Sequence, residues 1–289
     1  MAEEFETKND DLGESEDPGG VKIAVAQFGP GPNVADNVGI IQALVHAAAE
    51  NGARMIVLPE YSSVLGGEPG PWINDYAESL DGQFVDEMAD LADTCDIAIV
   101  VGMLEKSDSD KDTRPYNTAI AVLPGAGVVA RYRKVHLFDA FNFTESTWLQ
   151  PGDPAEEPQT FNVDGVVVGM QTCFDLRFPE TTRRIVDAGA HVIALVAEWM
   201  SGPKKAHHWA ALTSARAIEN TVYVAAADQI PPVAVGMSRV ISPIGETLID
   251  MGGQMGVSIA TVNVQAVEDA RETNPALKLR RYDVVPKKK

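Results

Sequence analysis

A four-layer α/β fold, an αββα sandwich built from two similar halves, is predicted for this 289-residue chain by three observations. The order strand, helix, strand, helix, strand, hairpin can be read twice along it. Gly189-Ala190-His191-Val192-Ile193-Ala194-Leu195 echoes Gly52-Ala53-Arg54-Met55-Ile56-Val57-Leu58 at the same place in that order. The strand candidates are runs of apolar and β-branched residues, the pattern of buried strands. Two sheets, each with helices on one face, satisfy all three by packing face to face.

The first half opens with the short strand Lys22–Gln27, broken by Gly29-Pro30-Gly31-Pro32. Asn33 or Asp36 can cap a helix running to about Glu50, because apolar residues recur at 38, 41, 44, 45 and 48. Asn51-Gly52 ends it, and Met55–Leu58 follows as a buried strand stopped by Pro59. Residues 66–71 form a Gly/Pro-rich loop, Gln83–Thr94 a helix, Asp96–Leu104 a strand and Ser107–Arg114 a charged turn. Asn117–Leu123 and Val128–Arg133 make a hairpin around Pro124-Gly125-Ala126-Gly127. In the second half the strand Val166–Thr172 leads into a helix over Pro179–Ala188, started by Pro179. The 189–195 strand, a helix from about Lys205 to Ile218 and the strand Thr221–Ala227 come next. A hairpin of Arg239–Ser242 and Thr247–Asp250 completes the repeat.

Composition narrows the function. An apolar fraction of 45% suits a globular core, and no run approaches the ~18 apolar residues that span a bilayer. The N-terminus is acidic without a hydrophobic segment, so it does not read as a secretory signal, and a cytoplasmic location is expected. A net charge of −19 argues against nucleic acid or an anionic membrane as partner. Eight acids and one lysine in residues 1–20 supply −7 of it, and with four Gly or Pro and few apolar residues this segment is expected to be a disordered acidic tail. The single folded domain is then 21–283, with a short basic tail over 284–289. Two cysteines, Cys95 and Cys173, give no disulfide framework and fit a reducing compartment.

Three residues each follow a predicted strand: Glu60, Lys134 and Cys173. Each has an ordinary explanation alone, as a surface acid, a member of a basic face and a buried thiol. Strands running the same way bring all three to one rim, where their chemistry interlocks. An ammonium can lower the pKa of a thiol, or a carboxylate can take its proton and return it to a leaving amine. The ammonium also stabilises the oxyanion formed by attack on a carbonyl or nitrile carbon, and the backbone N–H of Phe174 is a natural second donor.

With Leu58-Pro59-Glu60, Tyr132-Arg133-Lys134-Val135-His136-Leu137-Phe138 and Cys173-Phe174-Asp175-Leu176-Arg177-Phe178-Pro179-Glu180 in this order, the chain resembles the nitrilase superfamily of carbon–nitrogen hydrolases from about residue 21 to 283. That resemblance implies the αββα fold, Glu60 as general base, Lys134 as stabiliser of the tetrahedral intermediate, Cys173 as nucleophile, and assembly as a homodimer or larger oligomer. It also implies a second glutamate in the loop after the lysine, here Glu145, that orients the lysine and contacts the substrate amine. No cofactor and no metal is expected: His207-His208 lacks the spacing of a zinc motif.

Around the cysteine the chain is most similar to the ω-amidase and deaminated-glutathione amidase branch, whose substrates are small carboxylate-bearing amides. Arg177 suits such a carboxylate, or a structural pair with Asp175 or Glu180. The stretch Glu198-Trp199-Met200-Ser201-Gly202-Pro203 follows the second-half strand equivalent to the one before Glu60, so Trp199 is expected in the pocket wall. N-carbamoyl amino acid hydrolysis and nitrile hydrolysis are the alternative reactions. Outside catalysis, the alternatives are an interaction protein on the same scaffold and a redox sensor pairing Cys95 with Cys173.

Overall fold

The protein is described by a computed structural model covering residues 20–67 and 70–287. The expected acidic tail lies outside the described residues except for Gly20, as do Glu68 and Pro69 of the 66–71 loop and the last two lysines. In chain order the regular elements are β1 (Val21–Gln27), α1 (Val34–Glu50), β2 (Met55–Val57), α2 (Trp72–Tyr76), α3 (Gln83–Cys95), β3 (Ala98–Glu105), β4 (Tyr116–Leu123), β5 (Gly127–Arg133) and β6 (Thr160–Val163). There follow β7 (Val166–Thr172), α4 (Pro179–Asp187), β8 (Val192–Val196), α5 (Lys205–Asn220), β9 (Tyr223–Ala227), β10 (Arg239–Ile241), β11 (Thr247–Asp250), β12 (Gly256–Val262) and α6 (Val264–Thr273).

Two six-stranded sheets are present, ordered β12-β1-β2-β3-β4-β5 and β11-β10-β9-β8-β7-β6. Each has three parallel strands at its centre and antiparallel strands outside them. Alternate residues of a strand feed different cores, as a pleat requires. Ile23, Val25, Met55 and Val57 meet Val168, Met170, Val192 and Ala194 between the sheets. Ala24, Ala26, Ile56 and Leu58 pack outward against Ile41, Leu44 and Met88 of α1 and α3. Ile193, Leu195 and Val224 pack against Ile185 of α4 and Trp209 of α5. The layers are therefore helices, sheet, sheet, helices, as the duplicated order predicts. Strands covered on both faces read as unbroken apolar runs for this reason.

The local signals behave as their chemistry dictates. Asn33 caps α1 by accepting from the Ala35 and Asp36 amides, and Pro179 occupies the first turn of α4. Asp96 and Thr221, expected inside strands, instead hold left-handed helix C-caps, so β3 and β9 start two residues later. Beyond the expected repeat, β6 adds to β7 and β12 adds to β1, each antiparallel at an equivalent edge. Among the described residues no helix is long and apolar enough to cross a membrane.

Candidate active site

Strand direction gathers the site. β2 and β3 are parallel, β4 reverses and β5 reverses again, so β2 and β5 end at the same rim of the first sheet. Glu60 follows β2 and Lys134 follows β5 there, while Cys173 follows β7 of the second sheet. The rims are tied together across the gap: Glu60 donates its N–H to the Ala197 carbonyl at 3.3 Å, and Gln229 Nε2 donates to the Glu60 carbonyl at 2.8 Å.

The three residues that the sequence singled out do meet, all buried. Lys134 Nζ donates to Glu60 Oε1 at 2.9 Å and to Glu145 Oε1 and Oε2 at 3.0 and 2.9 Å. Glu60 Oε1 also accepts from Asn117 Nδ2 at 2.6 Å, and its Oε2 from the Glu198 N–H at 2.7 Å. Glu145, at the start of a 3₁₀ turn, is held further by the Tyr61 hydroxyl at 2.8 Å and the Phe138 N–H. Cys173 begins a 3₁₀ turn with φ +43°, a left-handed conformation that non-glycine residues seldom adopt, and one of the places where functional strain concentrates. Its thiol donates to the Glu198 carbonyl at 3.5 Å. The N–H of Phe174 lies in the first turn of that 3₁₀ segment, where no intrahelical acceptor is available.

Electrostatics assigns the protons. Burial, and then the facing charge of Glu60, push the Cys173 thiol well above its ordinary pKa; Lys134 opposes them without prevailing. Of the two routes open from sequence, the structure therefore disfavours a standing thiolate and favours proton removal by a carboxylate. Burial works against the Lys134 ammonium, yet Glu145 and Glu60 outweigh it and raise its pKa well above that of a free lysine. Burial likewise works against the Glu145 carboxylate, but Lys134 and the Phe138 N–H hold its pKa below the usual value.

These groups line a cavity of about 230 Å³, walled by Trp72, Phe138, Phe143, Phe174 and Trp199. Trp199 is thus in the wall as expected, fixed by Nε1 donating to the Lys205 carbonyl at 2.9 Å. Arg177 enters the cavity without an ion pair to Asp175 or Glu180. Its guanidinium carbon sits 4.7 Å from the Trp199 ring centroid, Nη2 lies 3.4 Å from His208 Nδ1, and Nε is buried without a partner. Asp175 is occupied elsewhere: it accepts from the Tyr132 hydroxyl at 2.7 Å and from the Val135 and His136 N–H groups. It thereby clamps the segment carrying Lys134 to the turn carrying Cys173. His207 and His208 lie on α5, and among the described residues no group of three or more His, Cys, Asp or Glu side chains could hold a metal ion.

Four residues of this site were not singled out from sequence: Tyr61, Asn117, Asp175 and Glu198. Glu198 carried a readable signal, since it is an acid placed just after a buried apolar run, as Glu60 is. A Lys205 ammonium beside Phe138 and Phe141, 4.6 and 4.1 Å from their centroids, is a further cation at the cavity.

Gly102 of β3 sets how closely the Glu60 segment can approach. A Cβ there would lie 2.7 Å from Glu60 Cα and 2.9 Å from the Pro59 carbonyl oxygen and Tyr61 amide, all backbone atoms. Gly102→Ala is expected to displace Glu60, lowering kcat by on the order of 10²-fold at a stability cost of about 1–3 kcal/mol. Steady-state kinetics and thermal melts would check this, and an unimpaired variant would show that Glu60 tolerates the shift.

A family model described as carbon–nitrogen hydrolase matches residues 22–272. A hydrolase of Mycobacterium tuberculosis is 36% identical over 268 residues, covering 87% of this chain and 92% of its own length. A deaminated glutathione amidase of Escherichia coli O157:H7 is 32% identical over 260 residues, covering 90% and 97%. Among solved structures, the NitFhit protein of C. elegans superposes with a TM-score of 0.84 at 26% identity, over 92% of this chain and 67% of that one.

Proposed function

The chain belongs to the carbon–nitrogen hydrolase family, and from that premise we propose that it hydrolyses a small, linear, carboxylate-bearing amide through a Cys173 thioester. One observation carries the reading: a lysine bound at 2.9 Å to each of two buried glutamates, beside a buried, un-ionised thiol on the floor of an apolar cavity. Glu60 takes the proton of Cys173 as sulfur attacks the amide carbon. The oxyanion that forms meets Lys134 Nζ and the Phe174 N–H. Glu145 keeps Lys134 in place and contacts the substrate amine. The intermediate collapses by breaking the C–N bond, Glu60 returns the proton to nitrogen, and ammonia leaves. Water then attacks the thioester with Glu60 as base, releasing the carboxylic acid and restoring the thiol.

The amidase name of the Escherichia coli relative supports an amide as substrate. Arg177 supports the carboxylate, because its planar donors enter the cavity with no protein carboxylate to satisfy them. The reading also takes the enzyme as a cytoplasmic homodimer or larger homo-oligomer, a setting in which Cys95 and Cys173 stay as free thiols.

Ammonia release from paired amides with and without a distal carboxylate tests the reading. The carboxylate-bearing member is expected to be preferred, and Arg177→Ala is expected to raise its KM by on the order of 10–100-fold, as loss of a charge-assisted hydrogen bond does. Equal use of both members would remove the carboxylate from the proposal. Ammonia released only from N-carbamoyl compounds or nitriles would replace the amide itself.

A further inference from the structure

The acids of this site differ in what holds them. Glu60, Glu145 and Asp175 each accept several hydrogen bonds from the protein. The Glu198 side chain accepts none among the described residues, although it lines the cavity that holds Cys173 and Lys134. Its backbone is fixed at the reaction centre on both sides, with its N–H on Glu60 Oε2 at 2.7 Å and its carbonyl under the Cys173 thiol at 3.5 Å. The duplicated frame explains the position: β2 and β8 end at facing rims, and each is followed within three residues by an acid.

Glu198 is half-buried, and a carboxyl without a protein partner at an apolar-walled cavity is tolerated when it is neutral or when a ligand completes it. The charged groups around Glu198 come from every neighbouring element: Glu60 after β2, Lys134 after β5, Glu145 from its 3₁₀ turn, Cys173 and Arg177 after β7, Lys205 on α5 and Asp228 after β9. Burial, followed by the charge of Glu60, outweighs Lys134 and pushes the Glu198 carboxyl up to about 8. A neutral carboxyl donates an O–H hydrogen bond, which a carboxylate cannot do.

We propose that Glu198 is a substrate-contacting, specificity-determining residue whose carboxyl O–H donates to an uncharged acceptor oxygen carried by the substrate near the scissile carbonyl. This deepens the amidase reading and rests on it. The favoured substrate is then a small amide bearing a ketone, hydroxyl or second carbonyl close to its reacting end, in addition to any group that reaches Arg177.

The test compares three small amides, alike except for a methylene, a carbonyl or an ammonium-bearing carbon near the amide. Ratios of kcat/KM are measured from pH 6 to 10 for the wild type, Glu198→Gln and Glu198→Leu. At pH 7 the wild type should favour the carbonyl over the methylene compound by on the order of tenfold, and lose that preference above pH 8. Glu198→Gln is isosteric and keeps an N–H donor that does not titrate, so its preference should persist to pH 10. Glu198→Leu should show none at any pH. Preference for the ammonium compound, an alkaline loss that persists in Glu198→Gln, or an unchanged ratio in Glu198→Leu would overturn the assignment. If the wild type releases ammonia from no amide, the amidase reading fails, and Glu198 is judged by alkylation of Cys173 with iodoacetamide. The wild-type rate should then inflect near pH 8 where Glu198→Gln does not, and superimposable curves would rule out a titrating carboxyl beside the thiol.

Discussion

Cys173→Ala is expected to abolish ammonia release, by on the order of 10⁴-fold or more, while the protein stays folded. The activity falls because the thioester needs a thiol, and among the described residues Cys173 is the cysteine that lines the cavity. The fold survives because the thiol makes one long hydrogen bond, and alanine keeps the Cβ against Leu176 and Trp199. Deleting one buried sulfur costs about 1 kcal/mol, within the stability margin of most domains. Thermal melting and circular dichroism would check the fold. Intact-mass spectrometry during turnover should reveal an acyl adduct on the wild type and none on the variant. Turnover near the wild-type rate in Cys173→Ala would end the thioester mechanism.

The second large effect concerns Lys134, whose removal should damage both stability and rate. Lys134→Ala leaves Glu60 and Glu145 facing one another in a buried site with no counter-charge. Breaking a buried ion pair from one side costs about 3–5 kcal/mol. Loss of an oxyanion donor costs a further 10²–10³-fold in kcat, by order of magnitude. The stability deficit should depend on pH. In the wild type the Glu145 pKa is lowered, so its contribution is present above the unfolded carboxyl value and is lost as pH falls through the folded one. Without Lys134 only the Phe138 N–H and the Tyr61 hydroxyl oppose burial, so the carboxylate is held less well and contributes less stability above the unfolded value. The gap between the two proteins is therefore widest near neutral pH and narrows on acidification. Denaturant titrations at pH 4.5 and 7.5 would measure it, and a gap independent of pH would mean that Glu145 is not held as a carboxylate by Lys134.

Much of this architecture is legible in the chain because its causes are local. The apolar runs, the Asn33 cap and Pro179 fix where elements start, strand direction brings Glu60 and Lys134 to one rim, and the packing of the second sheet brings Cys173 to it. What escapes sequence reading depends on partners distant in the chain. β12 has a strand's composition, but its place is defined only by pairing with β1. Asn117 and Asp175 look like polar residues within otherwise apolar segments until Glu60 and the Lys134 segment are seen to need them. Arg177 illustrates the limit in another way. Its closeness to the nucleophile is visible in the spacing, whereas its freedom from Asp175 follows from Tyr132 and His136 having taken that carboxylate.

The edge pairing of β12 with β1 bears on how the enzyme comes into being. Val21 to Gln27 find their partners in Val262 to Gly256, almost the whole domain later. As the chain leaves the ribosome, β1 can meet β2 early, yet its other side stays an open hydrogen-bonding edge until β12 has been synthesised. The sheet that carries Glu60 and Lys134 is thus closed last, after the strand that carries Cys173 has already emerged. A partly made chain can hold the thiol, but the first sheet keeps its open edge beside β1 until β12 has been made.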